Sequence, residues 1–124
     1  MTRSLLLVED DEGIRETLRM LLEDEGWRVF EAQNGVDALE RLRDMDTLPS
    51  VILLDLMMPV CDGDQFLVEF RREPGNATIP ILLLSAASTA ELVEKERCCD
   101  VAAVVRKPFE VDDLLATVER VALR

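Results

Sequence analysis

Val51-Ile-Leu-Leu-Asp55 is a short apolar run that ends in a carboxylate. Similar runs recur along the chain, and four of the five consist of apolar residues, as is typical of parallel strands buried on both faces. Residues 27–31 alternate apolar and polar side chains instead, which predicts an edge strand with one wetter face. The predicted strands are Leu5–Val8, Trp27–Glu31, Val51–Leu54, Ile79–Leu84 and Val101–Val105.

Apolar residues at helical spacing predict a helix after each strand. Gly26 is a stop signal for the first helix, and Ser88-Thr-Ala-Glu91 is a capping box for the fourth, which has the weakest apolar face. The marker residues are Ile14, Leu18, Leu21 and Leu22, then Val36, Leu39 and Leu42, then Phe66, Leu67 and Phe70, then Leu92 and Val93, and finally Val111, Leu114, Leu115, Val118 and Val121.

The alternation of strands and helices predicts a flavodoxin-like, doubly wound α/β fold. We expect a five-stranded parallel sheet of order 2-1-3-4-5 with helices on both faces and right-handed crossovers. Only the second and fifth strands would be edges of this sheet. The 124 residues suit one domain, spanning residues 1–124, with a real core.

Composition restricts the class of function. Twenty-six acidic against 14 basic residues give a net charge of -12, which disfavours direct binding to nucleic acid. This acidity suits a cation or a basic partner, although solubility explains it equally well. No apolar run approaches the ~20 residues that span a bilayer, and the start Met1-Thr-Arg-Ser lacks the features of a signal peptide. We therefore expect a cytoplasmic protein that does not enter a membrane.

The cysteines predict neither a metal site nor a disulfide framework. Cys61, Cys98 and Cys99 lack the spacing of metal ligands, and the chain contains no His to complete a zinc site. We interpret them as reduced thiols.

Polar side chains follow four of the predicted strands. Residues 9–12 (Glu-Asp-Asp-Glu) follow the first strand, and Asp55, Ser85 and Lys107 follow the third, fourth and fifth. In the predicted order these strand ends meet near the switch point between strands 1 and 3, where such sheets bind ligands. Carboxylates gathered there raise one another's pKa unless a cation joins them. Since only oxygen ligands are available, Mg²⁺ is the natural cation.

This set of residues predicts phosphoryl chemistry. Asp55 could attack a phosphoryl group as a carboxylate nucleophile, while Lys107 and Ser85 hold its oxygens with the cation. Each residue also has a plainer interpretation when taken alone. The acids after strand 1 could cap the first helix, Asp55 could be a turn residue, Ser85 could be an N-cap, and Lys107 could be a solvated lysine. Their combination at matching strand ends favours the site.

Four motifs resemble the response-regulator receiver family, and together they cover essentially the whole chain. They are Leu6-Leu-Val-Glu-Asp-Asp-Glu12, Asp55-Leu-Met-Met-Pro59 with Gly63, Leu84-Ser85-Ala86, and Lys107-Pro108-Phe109. Four such motifs in order at the family's spacing are highly specific. The resemblance implies a receiver that accepts a phosphoryl group from a phosphohistidine and switches conformation. It implies no enzymatic turnover beyond its own phosphorylation and slow dephosphorylation.

The resemblance also implies a role for each residue. Asp55 would be the phosphoacceptor, and Asp10 a direct Mg²⁺ ligand, with Glu9 holding the ion directly or through water. Asp11 lies one residue past the family's usual acidic pair, so it ranks third, after Asp10 and Glu9, as a candidate Mg²⁺ ligand. Further implied roles are a carbonyl ligand from Met57, phosphoryl contacts from the amides of Met57 and Ala86, and a Lys107–Pro108 bond that is usually cis. The implied partners are a sensor histidine kinase or phosphotransfer protein and a downstream effector or output domain.

Two features depart from the family pattern. Val104 stands where the family often has Tyr or Phe, and a short, stiff side chain cannot swing inward as that aromatic does. Residues 102 and 103 are alanines where dimerising regulators tend to carry acids, which favours a monomer or weak dimer. Val104 leaves open a constitutive receiver-fold interaction module as the alternative function. An FMN protein or a haloacid-dehalogenase-type phosphatase fits less well, because residues 9–12 would repel the FMN phosphate and Asp55-Leu-Met-Met-Pro59 does not supply the phosphatase motif Asp-x-Asp-x-Thr.

Overall fold

The computed structural model describes residues 3–55, 69–70, 72, 79–85, 102–106 and 109–122, with Asp55 and Ser85 described through their backbone alone. These residues form five strands and three helices. In chain order they are β1 (Ser4–Val8), α1 (Glu12–Asp24), β2 (Arg28–Ala32), α2 (Gly35–Asp44), β3 (Val51–Asp55), β4 (Ile81–Ser85), β5 (Ala103–Arg106) and α3 (Val111–Ala122).

The strands form one parallel sheet in the order β2-β1-β3-β4-β5, so the predicted topology is confirmed. The edges are β2 and β5, also as predicted. The observed bounds shift by one or two residues; Trp27 precedes β2, and β5 begins at Ala103. Of the third predicted helix, the described residues Glu69, Phe70 and Arg72 are helical, and the fourth predicted helix lies outside the described residues.

Successive strand residues point to opposite faces of the sheet, and each face carries its own core. One cluster joins the even-numbered β1 residues Leu6 and Val8 to Ala38 and Leu42 of α2 and to Phe70. The other joins the odd-numbered β1 residues to α1 and α3. Its helical members are Leu18, Leu22, Leu114, Val118 and Val121. Helices therefore cover both faces, as the continuous apolar runs of the inner strands require.

The helix boundaries follow from local chemistry. Asp11 caps α1, and Asn34 caps α2 by accepting the Asp37 N–H at 2.9 Å. Gly26 ends the first helical unit at a φ of 95°, a left-handed conformation that glycine adopts without strain.

Three apolar residues that marked the predicted helices are exposed. Ile14, Val36 and Val111 are 45%, 47% and 40% exposed. Each lies in the first turn of its helix, immediately after the carboxyl end of a strand.

A polar clamp formed by Arg3, Trp27 and Glu119 lies at the amino ends of β1 and β2. The Arg3 guanidinium donates two hydrogen bonds to the Glu119 carboxylate, at 2.5 and 2.6 Å, and lies 4.4 Å from the centre of the Trp27 ring. The Arg28 N–H donates to the Arg3 carbonyl at 2.9 Å. The clamp thus ties α3 to the starts of β1 and β2. None of the described helices has the length and apolar character needed to cross a membrane.

Candidate functional site

The register of the sheet brings the predicted polar strand ends to one edge. Val8 of β1 pairs with Leu54 of β3, so Glu9 and Asp55 are the next residues on two adjacent strands. Ser85, the last residue of β4, pairs with Arg106 of β5, which directly precedes Lys107. Neighbouring strands lie about 4.8 Å apart. The crevice between β1 and β3 is the switch point of the sheet, where the chain turns to β2 on one side and to β4 on the other.

Glu9 is held firmly at this edge. It is only 1% exposed. Its N–H donates to the Ala32 carbonyl at 3.0 Å, and its own carbonyl accepts a hydrogen bond from Arg15 Nη1 at 2.8 Å. Its Oε1 accepts the Asp11 N–H at 3.4 Å. The residue therefore joins the ends of β1 and β2 to the first turns of α1.

Asp10 and Asp11 differ sharply although they are neighbours. The Asp11 carboxylate accepts the Ile14 N–H at 2.8 Å and caps α1, as the plainer interpretation of these acids proposed. Asp10 is exposed, and its carboxylate makes no hydrogen bond or ion pair with any residue in the described part of the chain. The loop therefore presents Asp10 to solvent while Asp11 supports the helix.

The residues at this edge fit a hard divalent cation. Burying a carboxylate such as Glu9 beside Asp10 is unfavourable unless positive charge compensates it. The chain contains no His, and carboxylate oxygens are ligands that Mg²⁺ prefers. Among the described side chains no three His, Cys, Asp or Glu residues form a metal-binding group. The described residues thus do not form a complete metal site by themselves, and Asp55 ends β3 at the same edge.

Two arginines of α1 face Glu31 of β2, and one of them also contacts the acidic loop, which consists of residues 9–11. Arg15 Nε is 3.6 Å from Glu31 Oε1, and Arg19 Nε is 3.4 Å from the same oxygen. Arg19 also pairs with Glu23 at 3.1 Å. Sequence reasoning did not single out Arg15, because an arginine on an early turn of a helix is ordinary. Only its contact with the Glu9 carbonyl distinguishes it from other helical arginines.

An apolar pocket of about 520 Å³ lies beside the acids, between α1 and the start of α3. Its lining includes Asp11, the apolar residues Ile14, Leu18 and Leu21 of α1, and Phe109 with Val111. The exposed first-turn residues Ile14 and Val111 thus belong to one surface, adjoining the edge that carries Glu9 and Asp10.

Several predicted site residues lie outside the described residues. They are Met57, Ala86, Lys107 and Pro108, and the three cysteines Cys61, Cys98 and Cys99 lie outside them as well. Val104 is described. It lies in β5, pairs with Leu83 of β4, and packs, partly buried, against the cluster on the α2 face.

These features define a doubly wound α/β domain with acidic residues at its switch point. The chain belongs to the response regulator receiver domain family, whose model matches residues 5–119. It is therefore a receiver domain of two-component signalling, a phosphoacceptor switch family.

Similar proteins support this assignment. The response regulator Rre1 of Synechocystis is 36% identical over 124 residues, covering 98% of this chain and 52% of that protein, so the chain spans about half its length. The chemotaxis protein CheY4 of Vibrio cholerae superimposes with a TM-score of 0.89 at 29% identity, covering 98% and 99% of the two chains. The receiver domain of the Pseudomonas aeruginosa sensor histidine kinase PA1611 superimposes with a TM-score of 0.87 at 24% identity, covering both chains fully. That receiver holds a magnesium ion in its active site cleft.

Proposed function

We propose that the chain accepts a phosphoryl group onto Asp55 in a Mg²⁺-dependent reaction and thereby switches conformation to regulate a partner or an output domain. The observation that carries the proposal is the position of Asp55 in a chain of the receiver family. Asp55 ends β3, which pairs with β1, and the buried Glu9 and the exposed Asp10 directly follow β1.

In this proposal Asp10, Glu9, Asp55 and the Met57 carbonyl hold Mg²⁺. Oxygen donors of this kind, with carboxylates dominant, suit that ion. The bound ion would neutralise the charge that gathers as a phosphate approaches three carboxylates. The magnesium ion in the PA1611 receiver, which shares this fold, supports the choice of metal.

The reaction itself needs little beyond positioning. A carboxylate oxygen of Asp55 forms a bond to phosphorus as the bond between phosphorus and the donor's imidazole nitrogen breaks, and the electron pair of that bond stays on the imidazole. We assign the Lys107 ammonium, the Ser85 hydroxyl and the amides of Met57 and Ala86 to the phosphoryl oxygens. Pro108 would set the path of the chain after Lys107.

The proposed donor is a sensor histidine kinase or phosphotransfer protein. The apolar pocket between α1 and α3 supports docking of such a partner, because it adjoins the acidic edge and exposes Ile14 and Val111. The regulated element is an effector protein or an output domain, and Rre1 is about twice as long as this chain. The net charge of -12 argues against direct binding to nucleic acid, and the alanines at 102 and 103 argue for a monomer or weak dimer.

One observation favours a second candidate, a constitutive interaction module whose output does not depend on phosphorylation. Val104 lies in β5 against the core, where a short side chain cannot swing as the family's aromatic does. Amide NMR spectra with Mg²⁺ and beryllofluoride distinguish the two candidates. Shifts around Ser85 and the residues after it indicate a switch, whereas an unchanged spectrum indicates the constitutive module.

Labelling with acetyl phosphate in the presence of Mg²⁺ tests the proposal. The native protein and Asp44→Asn, the same change at the far end of α2, should incorporate one phosphoryl group per chain. Asp55→Asn should show background labelling, and omission of Mg²⁺ should abolish labelling of the native protein. Undiminished labelling of Asp55→Asn would refute the assignment of the acceptor.

A further inference from the structure

Arg15 connects helix α1 to the backbone of the acidic loop. Its Nη1 donates to the Glu9 carbonyl at 2.8 Å, while its Nε faces Glu31 Oε1 at 3.6 Å. Its side chain is only 17% exposed, and Glu31 is 38% exposed. The guanidinium is thus held between the end of β2 and the loop that follows β1.

The contact fixes the peptide unit that precedes Asp10. The Glu9 carbonyl and the Asp10 N–H belong to one planar group, so a hydrogen bond to that carbonyl restrains the orientation of the whole unit. The other side of Glu9 is held by the bond from its N–H to the Ala32 carbonyl at 3.0 Å. One residue further on, the N-cap fixes Asp11. Asp10 is therefore presented from a loop whose backbone is held on both sides.

We propose that Arg15 is a positioning residue for metal binding. Through the Glu9 carbonyl it holds the Glu9–Asp10 peptide in the orientation that lets both carboxylates reach one Mg²⁺ ion, and Glu31 holds the guanidinium in place. This inference rests on the proposed function, because it assigns Arg15 to the same metal site. Partners that orient a ligand without touching the metal change metal affinity by about 10- to 100-fold when removed.

The charge of Arg15 acts in the opposite direction to its hydrogen bond. A cation near the site repels Mg²⁺, so removing charge alone should tighten binding by about twofold after screening by salt. Removing the hydrogen bond to the Glu9 carbonyl should weaken Mg²⁺ binding. The sign of the change in affinity therefore separates a positioning role from a purely electrostatic one.

Arg19 provides a matched control. It lies on the same helix and pairs with the same Glu31 oxygen, at 3.4 Å, and its bonds are to Glu23, Glu16 and Glu31. Arg19→Met removes the same charge and an equivalent pairing with Glu31, and it leaves the Arg15 contact to Glu9 in place.

The test is a titration with MgCl₂ alone, followed by the amide NMR shifts of residues 9–11, for the native protein, Arg15→Met, Arg15→Lys and Arg19→Met. We expect the dissociation constant of Arg15→Met to rise about tenfold and that of Arg19→Met to stay equal or fall. Arg15→Lys keeps one donor and should recover part of the loss. The midpoint of thermal unfolding without Mg²⁺ should fall in both Met variants, and further in Arg15→Met, because this variant also leaves the Glu9 carbonyl without its hydrogen bond from Arg15.

Two results would overturn the inference, and they are distinguishable. Binding by Arg15→Met that is equal to or tighter than binding by Arg19→Met would remove the positioning role and leave the proposed function intact. Absence of any Mg²⁺-dependent shift in the native protein would overturn the metal site in the proposed function and, with it, the role of Arg15. Should Arg15→Met fail to fold, a native affinity in Arg19→Met with a weakened affinity in Arg15→Lys supports the inference, and native affinity in both contradicts it.

Discussion

Replacing Asp10 and Asp11 separately with Ala should separate metal binding from stability. Asp10→Ala should lose metal binding alone, and Asp11→Ala should lose stability alone. Asp11 accepts the Ile14 N–H at 2.8 Å at the start of α1. Loss of an N-cap costs about 1 kcal/mol, and loss of a negative charge at an exposed helix start costs about 0.3 to 1 kcal/mol. Asp11→Ala should therefore lower the free energy of unfolding by about 1 to 2 kcal/mol, or the melting temperature by roughly 4 to 8 °C.

Asp10→Ala should leave the metal-free protein as stable as the native one, within about 0.5 kcal/mol. Its carboxylate is exposed and makes no hydrogen bond to a residue that the structure describes. Its removal also takes away a like charge beside Glu9. The same variant should lose Mg²⁺ binding, because it removes the proposed exposed ligand. Asp11→Ala should keep it.

Urea unfolding followed by tryptophan fluorescence measures both effects. Trp27 is the only tryptophan of the chain and is 3% exposed, so its emission reports on unfolding. At a Mg²⁺ concentration ten times the dissociation constant, binding should add about 1.4 kcal/mol to the native protein and to Asp11→Ala, and nothing to Asp10→Ala. Asp11→Ser keeps a capping oxygen and should recover most of the lost stability. The reasoning fails if Asp11→Ala loses the Mg²⁺ stabilisation, or if Asp10→Ala is the less stable variant without metal.

Two further predictions concern other parts of the chain. The hydrogen bonds from Arg3 lower the pKa of the Glu119 carboxyl below its ordinary value of 4.5, so their stabilisation is fully present above that value and is lost as the pH falls through the folded pKa. Glu119→Gln should cost about 0.5 to 1 kcal/mol at pH 7, because the pair is exposed, and urea unfolding should show the difference vanish in acid; a constant difference would contradict the pairing. The resemblance to receivers implies that the residues two positions after Asp55 and Ser85 tune hydrolysis. These are Met57 and Ala87, and neither side chain can orient a water through a hydrogen bond, so the phosphoaspartate half-life, followed by loss of label, should extend well beyond seconds. Decay within seconds would refute this expectation.

The topology was predictable because local pattern and tertiary environment agree in this fold. Residues 5–8 of β1 and 51–54 of β3 are all apolar and buried, as is typical of short strands covered on both faces. The alternating composition of residues 27–31 identified an edge strand, and β2 is an edge of the sheet. The predicted wetter face was wrong, because exposure falls along β2 from Arg28 to the buried Ala32 and does not alternate. Once the order is known, the carboxyl ends of parallel strands must share an edge. The proximity of Glu9 and Asp55 follows from that geometry.

The different environments of the three acids after β1 could not be predicted from the sequence in the same way. Glu9, Asp10 and Asp11 are chemically similar and adjacent, yet one is buried, one is exposed and one caps a helix. These differences depend on the direction in which each side chain leaves the turn between β1 and α1. They also depend on partners that are distant in sequence, such as Ala32. A pattern of residue types carries no information about either.

The sequence by itself determined the class of fold and the edge of the sheet at which residues 9–11 and Asp55 lie, because hydrophobic period and strand direction are local properties that the parallel sheet preserves. Only the tertiary structure decided that Asp11 supports α1, that Asp10 faces solvent, and that Arg15 reaches the Glu9 carbonyl. Burial and hydrogen bonding are set by residues that the fold brings together. They can therefore be determined only from the folded structure, in which β2, the acidic loop and α1 are in contact.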